Sequence, residues 1–239
     1  MIYLITPTGA RPAQFKLCQS FMKRQTYKGE VTWLIVDDCL PVTTEIVNKN
    51  FRENWIIKKI YPKPIWQEGQ NTQARNISAA LNEVKRQKDV KAIFIIEDDD
   101  YYRSVYLEEM MSRFNGFYAI GETNTIYYNV VSRTFYQHPN VNHASLFETA
   151  FTIESIPTIE KYFMTQYIDV HFWSSIKNKH LFKINNLAIG IKGMPGRHGI
   201  GGGHDRVNRG PIDASMNHLK SLIGEDYKLY EGYYSRVCV

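Results

Sequence analysis

Cysteine is scarce in this 239-residue chain, and long apolar runs are missing from it. The three cysteines, Cys18, Cys39 and Cys238, do not have the spacing of a metal site. Their odd number, without a paired framework, predicts free thiols in a reducing compartment such as the cytoplasm. No window approaches roughly 18 apolar residues, and the N-terminus lacks the basic start and cleavage site of a signal peptide. We therefore expect a soluble, cytoplasmic protein without a transmembrane segment.

The sequence also lacks repeats and low-complexity tracts, and no linker rich in Pro, Gly or Ser divides its first 190 residues. A composition with 44% hydrophobic and 22% charged residues argues against disorder. The length predicts one domain, or one domain with a short appendage.

Positive charge is concentrated in residues 174–210. This segment contains seven Lys/Arg and one acid, Asp205, so it carries a net charge of +6 while the whole chain carries +5. Such a local field attracts phosphate, phosphorylated ligands or nucleic acid, and a solvated basic face is the alternative.

Apolar spacing predicts strands that alternate with helices. Strand-like runs cover residues 2–6, 31–36, 55–61, 92–96 and 117–121, and a hairpin is predicted at 125–137. Helical spacing is present after Pro12, at 77–84, at 107–114, and near 157–166, 170–177 and 212–223. This alternation predicts an α/β fold with a mostly parallel sheet, flanking helices and an antiparallel hairpin addition. Residues 193–210 contain seven glycines and are predicted to form a loop.

Polar chemistry follows three of the predicted strands. The first strand leads into PTGARP, the second into Asp37 and Asp38, and the fourth into four consecutive acids at 97–100. In open α/β sheets, ligands bind beyond the carboxyl ends of parallel strands, so these three ends predict one site. Clustered carboxylates repel one another by about 1 kcal/mol per pair at 4 Å in water, and by more when half-buried. A divalent cation, Mg²⁺ or Mn²⁺, relieves this repulsion; the alternative is an exposed strand end with acids that cap the next helix.

Three stretches in order resemble the glycosyltransferases of family-2 type, which have a GT-A fold. The first stretch, LITPTGARP through QTY to VDD, is similar to the opening of that family. The second, GQNTQARN followed by a strand and EDDD, is similar to its G-x-x-x-A-R-N helix and D-x-D signature, with Glu97 in place of the first Asp. The third stretch, HASLFETAF and YIDVHFW, is a looser match. The resemblance covers residues 2–106 and 143–176.

The resemblance implies a single Rossmann-like GT-A domain at residues 1–192. Its nucleotide-sugar-binding half would be 1–106 and its acceptor-side half 107–192, with a Gly-rich flexible loop and a C-terminal helix at 193–239 packing on the same domain. A nucleotide-diphosphate sugar, in particular a UDP-sugar, is the implied donor. Its implied contacts are Thr6, Pro7, Arg11, Asp37, Asp38, Arg75 and Asp98. Outside the resemblance, Arg197 is predicted to meet the diphosphate, because the Gly-rich loop that carries it is flexible enough to close over a bound donor. The implied metal ligands are Glu97, Asp99 and Asp100, with Asp98 and Asp100 as the alternative register. Outside the resemblance, His204 on the Gly-rich loop is predicted to complete the metal shell, because imidazole is an acceptable ligand for Mn²⁺.

An inverting transfer to a hydroxyl group also needs a base on the acceptor side. Asp169 is the first candidate by the resemblance and Glu148 the second, and a helix cap is the ordinary alternative for Asp169. Trp66 and Trp173 are aromatic candidates for stacking, although core packing is the stronger expectation for Trp173.

The acceptor is open. The basic segment favours a polyanionic acceptor such as a hydroxylated base in DNA; polysaccharide, lipid-linked sugar and protein hydroxyls are alternatives. A sugar-phosphate nucleotidyltransferase and a non-catalytic nucleotide-sugar binding module are the other functional readings. The first of these is disfavoured because PTGARP has only one glycine for a triphosphate-binding turn.

Overall fold

A computed structural model describes residues 1–39, 51–184, 186–197 and 207–233. The first half of the chain alternates strands and helices, as predicted. The strands are β1 (Ile2–Thr8), β2 (Val31–Asp37), β3 (Trp55–Ile60) and β4 (Ala92–Ile95), and the helices are α1 (Pro12–Lys23) and α2 (Gln73–Val84). Every residue of β1, β2 and β4 is buried, which is the pattern of central strands covered on both faces.

The second half of the chain adds strands to the main sheet and to a second sheet, together with further helices. Its elements are β5 (Tyr101–Tyr102), α3 (Tyr106–Arg113), β6 (Ala119–Glu122), β7 (Ile126–Asn129), β8 (Thr134–Gln137), β9 (Thr149–Phe151), α4 (Ile156–Glu160), α5 (Ile168–Ser175), β10 (Lys179–Phe182), β11 (Ala188–Lys192) and α6 (Asn217–Ile223). Short 3₁₀ helices cover Leu146–Glu148, Ile153–Ser155 and Gly224–Tyr233. Within the described ranges, the main sheet has the order β10-β6-β9-β4-β1-β2-β3. Its strands are parallel except for β9, which runs antiparallel between β4 and β6.

A second sheet has the order β5-β11-β7-β8, and its strand β5 comes next after β4 in the sequence. The β7–β8 hairpin confirms the predicted antiparallel addition. Strand β11 pairs antiparallel with β5, which directly follows the four acids, and parallel with β7. This pairing brings residues near position 190 next to residues near position 100.

The C-terminal elements pack on the same core as the first half. Leu219 of α6 and Tyr230 of the last 3₁₀ helix are buried in the cluster that contains Phe21 and Tyr101. Helix α6 starts later than predicted, because Met216 before it has a left-handed φ of 57°. No helix in the described part of the chain is long and apolar enough to cross a membrane. Cys18 and Cys39 are free, whereas Cys238 lies outside the described residues.

Candidate functional site

The carboxyl ends of three parallel strands form the floor of the site. Strand β1 pairs in parallel with both β2 and β4, and Thr8 at the end of β1 is in register with Asp37 at the end of β2. The acids at 97–100 follow β4 directly. The predicted convergence of these three strand ends is therefore observed.

Asp98 forms hydrogen bonds with the last residue of β1 and with the residue before α1. Its Oδ1 accepts a hydrogen bond from Arg11 Nη1 at 2.5 Å, and its Oδ2 accepts one from the Thr8 hydroxyl at 2.5 Å. Arg11 Nη1 also lies 3.6 Å from Asp99 Oδ1. Burial lowers the pKa of Arg11, but the charges of Asp98 and Asp99 raise this pKa by more than burial lowers it. The guanidinium group therefore remains charged. Asp98 is thus a buried carboxylate that fixes the Arg11 guanidinium at the carboxyl ends of the parallel strands.

Glu97, Asp99 and Asp100 form a cluster in which one carboxylate oxygen of each lies within 4.8 Å of the others. Asp100 is buried, and its Oδ1 accepts hydrogen bonds from the Ile191 backbone N–H at 2.9 Å and from Lys192 Nζ at 3.1 Å. Its Oδ2 has no hydrogen-bond partner among the described residues. Glu97 Oε1 accepts a hydrogen bond from Gln73 Nε2 at 2.9 Å, and burial raises the pKa of Glu97 to about 7.

Lys192 brings a buried cation into this cluster from the end of β11. Its Nζ lies 3.8 Å from Asp99 Oδ2, as well as 3.1 Å from Asp100 Oδ1, and 5.7 Å from the centre of the Tyr127 ring. Burial lowers the pKa of Lys192, while the charges of Asp100, Asp99 and Glu97 raise it by more. The ammonium group is therefore charged although only 6% of the residue is exposed.

Asp38 is the centre of a second buried network, at the end of β2. Its Oδ2 accepts hydrogen bonds from Arg75 Nη2 at 3.0 Å, from Asn76 Nδ2 at 2.8 Å and from the Thr72 hydroxyl. Its Oδ1 accepts one from Arg197 Nη1 at 2.8 Å. Helix α2 and the start of the Gly-rich segment are thus joined to the end of β2 through one carboxylate.

Arg197 also covers Trp66. Its guanidinium carbon lies 4.7 Å from the centre of the Trp66 ring, and its backbone carbonyl accepts a hydrogen bond from Arg11 Nε at 2.7 Å. Gln14 Nε2 donates to the Pro195 carbonyl at 2.7 Å. The side chains of α1 and of the loop before it therefore hold residues 195–197 against the site.

The remaining predicted donor contacts are buried in the strands. The Thr6 hydroxyl accepts a hydrogen bond from the Trp33 indole at 2.9 Å, and Pro7 is buried in β1. Asp37 is 1% exposed, and its Oδ1 accepts the Cys39 backbone N–H at 3.1 Å. Their roles in donor binding remain predictions.

The two candidate bases have different surroundings. Asp169 lies in the first turn of α5 and accepts the Val170 backbone N–H at 2.9 Å, and its charge contributes to the raised pKa of Glu97. Burial raises the pKa of Asp169 itself, with His143 among the groups that oppose the rise. Glu148 is only 1% exposed and accepts a hydrogen bond from the Thr125 hydroxyl, so Asp169 is the more accessible carboxylate.

Two further predictions concern His204 and Trp173. His204 lies outside the described residues, as do His198 and Asp205. Trp173 is fully buried, and its indole N–H donates to the Thr149 hydroxyl at 3.1 Å, so it packs in the core as expected.

No protein-family profile and no curated protein matches this chain. Among solved structures, residues 1–349 of TarS from S. aureus, a GT-A-like glycosyltransferase, are similar at 12% identity and a TM-score of 0.58. The match covers 80% of this chain and 60% of that one. The complex of TarS 1–349 with UDP-GlcNAc matches at 13% identity and a TM-score of 0.56, covering 83% and 59%. The complex with UDP matches at 11% and 0.55, covering 80% and 60%.

The chain has the fold of GT-A glycosyltransferases. It spans about 60% of the length of the TarS fragment that it matches. At this identity the likeness concerns the fold, and chemistry has to be argued from the site.

The acidic cluster fits the divalent metal that a GT-A fold implies. Its donors are carboxylate oxygens, which Mg²⁺ and Mn²⁺ prefer. The Asp100 Oδ2 atom is a buried acceptor without a described partner, and such an atom needs a proton or a cation. Glu97, Asp99 and Asp100 would hold the ion, and the ligand roles of these residues and of His204 remain predictions.

Lys192, Gln73, Thr72 and Asn76 are site residues that sequence analysis did not single out. Lys192 was counted only as one charge of the basic segment, and nothing in the sequence shows that β11 pairs beside the acids. Thr72 is the N-cap of α2 and Asn76 lies in the first turn of that helix, so the start of the helix is the signal that points to them.

Proposed function

We propose that this protein is a glycosyltransferase of family-2 type that takes a sugar from a nucleotide-diphosphate sugar, in particular a UDP-sugar, and transfers it to a hydroxyl group. One observation carries the proposal: on a GT-A fold, an oxygen-donor cluster lies beside Arg11 at the converging ends of β1, β2 and β4. The TarS structures with UDP and UDP-GlcNAc support the donor class.

In this proposal residues 1–106 bind the donor. Arg11 and Arg75 are partly exposed, with 14% and 29% of their side chains accessible, and guanidinium groups suit the paired oxygens of a diphosphate. Their carboxylate partners, Asp98 and Asp38, fix their positions before the donor arrives. Trp66 supplies an aromatic face near the Asp38 network, on which a nucleotide base can stack.

Mn²⁺ or Mg²⁺ is the proposed cofactor, held by Glu97, Asp99 and Asp100. When bound, a divalent ion neutralises the charge that develops on the departing nucleoside diphosphate. The protein's own contribution is to keep Asp100 fixed through Oδ1, while Oδ2 is left without a hydrogen-bond partner among the described residues.

Asp169 is the proposed base for the acceptor hydroxyl. The charge of Asp169 is among the causes that raise the pKa of Glu97, which supports a position of Asp169 on the side of the donor cluster. A pocket of about 270 Å³ adjoins it, because Val170 and His143 line that pocket together with Asn142, Ser174, Lys179 and Leu181. We assign this pocket to the acceptor. An inverting outcome follows if Asp169 activates the hydroxyl for direct displacement.

The basic segment favours DNA, a polyanion, as the acceptor, with a hydroxylated base as its target. In the structure, however, fewer positive charges of that segment remain for DNA phosphates. Lys192 and Arg197 belong to the segment and are paired with Asp100 and Asp38 inside the site. DNA binding predicts an affinity that falls steeply between roughly 50 and 200 mM salt. Salt-independent binding would favour polysaccharide, lipid-linked or protein acceptors.

A panel of nucleotide sugars, tested for thermal stabilisation with Mn²⁺, examines the proposed function. A ligand at a hundredfold excess over its dissociation constant raises the free energy of unfolding by about 2.7 kcal/mol. Hydrolysis of a nucleotide sugar that stabilises the protein is then measured in the presence of Mn²⁺. Slow hydrolysis would indicate an enzyme, and the absence of hydrolysis would indicate a binding module. Stabilisation by nucleoside triphosphates but by no nucleotide sugar would instead indicate a nucleotidyltransferase.

A further inference from the structure

Lys192 lies within ion-pairing distance of two of the three proposed metal ligands. Its ammonium nitrogen is 3.1 Å from Asp100 Oδ1 and 3.8 Å from Asp99 Oδ2. The oxygens of Glu97, Asp99 and Asp100 that face one another are within 4.8 Å. A divalent ion among them would therefore lie a few ångströms from a fixed positive charge.

The position of Lys192 is held by the fold. It ends β11, whose pairing with β5 fixes the strand against the residues that follow Asp100. The Ile191 backbone N–H donates to the same Asp100 oxygen that Lys192 approaches. The Lys192 side chain is 6% exposed, so solvent does not screen its charge as it would at the surface.

We propose that Lys192 is a resident cation of the metal site, which shares Asp99 and Asp100 with the divalent ion and keeps the affinity for that ion low. Without metal, the ammonium group compensates carboxylates that would otherwise repel one another in a buried place. With metal, it repels the ion. This inference rests on the proposed metal site and adds a residue that sets its affinity.

The two effects of removing Lys192 have opposite signs, which makes the proposal testable. If Lys192 only positioned Asp100, its loss would weaken metal binding. If its charge competes with the ion, its loss strengthens metal binding, because the Ile191 N–H still holds Asp100 Oδ1. General damage to the site would weaken binding as well. A gain in affinity is thus a result that a structural role does not give.

The experiment measures binding of Mn²⁺ alone to the full chain, by electron paramagnetic resonance of the free ion. We expect Lys192→Met to bind Mn²⁺ at least tenfold more tightly than the unmodified protein, and Lys192→Arg to stay within about threefold of it. Lys220→Met is the matched control, since Lys220 pairs with Glu225 and half of its side chain is exposed. This control should bind Mn²⁺ as the unmodified protein does.

Lys192→Gln provides a second neutral variant in case Lys192→Met does not fold, because its amide can still donate to Asp100. Equal or weaker Mn²⁺ binding by the folded neutral variants would overturn the proposal, and so would failure of both to fold. Absence of Mn²⁺ binding in every variant, Lys192→Met included, would instead remove the metal site on which the proposed function depends.

Discussion

Arg197 Nη1 and Asp38 Oδ1 lie 2.8 Å apart although 159 positions separate the two residues in the chain. Asp38 directly follows β2, and Arg197 lies in the segment after β11. The guanidinium of Arg197 also covers Trp66 and donates to the Thr72 hydroxyl. The Arg197 side chain therefore connects the end of β2, the residue that caps α2 and the segment after β11.

Replacing Arg197 should cost stability as well as donor binding. In Arg197→Ala, the buried Asp38 carboxylate keeps Arg75 but loses a partner whose side chain is only 13% exposed. We expect the free energy of unfolding to fall by about 2–3 kcal/mol, less than for a buried charge left without any partner. Urea unfolding measures this change.

The control for that measurement is Lys228→Ala, which removes a solvent-exposed partner of Glu225. Its unfolding midpoint should match that of the unmodified protein. Equal midpoints for Arg197→Ala and Lys228→Ala would show that the Arg197–Asp38 pair contributes nothing to the folded state.

Gly9 is required beside Asp38 for a steric reason. A Cβ atom built at Gly9 would lie 2.2 Å from Asp38 Oδ1, and the backbone there has a φ of +149°. Gly9→Ala must therefore move the Asp38 carboxylate and strain the turn, which we expect to lower the free energy of unfolding by about 1–3 kcal/mol.

Gly232→Ala is the matched substitution, because a Cβ at Gly232 meets no atom within 4 Å. It should leave stability unchanged or raise it by up to about 1 kcal/mol. The comparison uses thermal or urea unfolding of both variants. If both glycines tolerate alanine equally, the described packing of Gly9 against Asp38 is wrong.

Glu122 anchors the chain before β11. Its carboxylate accepts the backbone N–H groups of Ile184 at 3.3 Å, Asn186 at 3.0 Å and Leu187 at 2.7 Å. Glu122→Gln replaces one acceptor oxygen with an amide donor that faces these N–H groups. We expect a loss of about 1–3 kcal/mol in urea unfolding. Glu160→Gln, at a partly exposed pair with Lys85, should change the midpoint much less.

Glu148 should make stability fall as the pH rises. Burial, and then the nearby charge of Glu122, raise the pKa of Glu148 well above its usual value, while the Thr125 hydroxyl opposes the rise. The folded carboxyl group therefore binds its proton more tightly than the unfolded one. Its stabilising contribution is complete below the unfolded pKa, near about 4.3, and is lost as the pH rises through the folded pKa.

Glu148→Gln cannot lose that proton, and its amide oxygen can still accept from Thr125. The variant should gain stability relative to the unmodified protein as the pH is raised from 5 to 8, in urea titrations at each pH. Parallel stability curves for the two proteins would contradict the raised pKa. Because Asp100 and Glu122 titrate in both proteins, the difference between the curves isolates Glu148.

The sequence predicted the elements with long regular patterns and missed those made by distant pairing. Continuous apolar runs indicated β1, β2 and β4, and the helical spacing of apolar residues indicated α1 and α2. Strand β9 has three residues, and β11 reads AIGIK with a glycine at its centre, so neither shows a clear alternation. For the same reason the sequence showed the acids at 97–100 but not Lys192, whose partners are about 90 positions away.

Asp169 provides the sharpest test of the acceptor side. If its carboxylate takes the proton of the acceptor hydroxyl, Asp169→Asn should lower kcat by about 10²–10⁴. Donor affinity should not change, because the groups proposed to bind the donor lie at the ends of β1, β2 and β4. Titration of the variant with the stabilising nucleotide sugar and Mn²⁺ measures that affinity separately from turnover.

The matched variant is Glu154→Gln, which alters an exposed acid in the 3₁₀ helix Ile153–Ser155 and should keep full turnover. A helix-capping role alone for Asp169 predicts a different pattern. Asparagine can still accept the Val170 N–H, so kcat would then stay close to that of the unmodified protein. A loss of kcat with unchanged donor affinity thus separates proton transfer from capping. If turnover is retained, the base must be sought elsewhere.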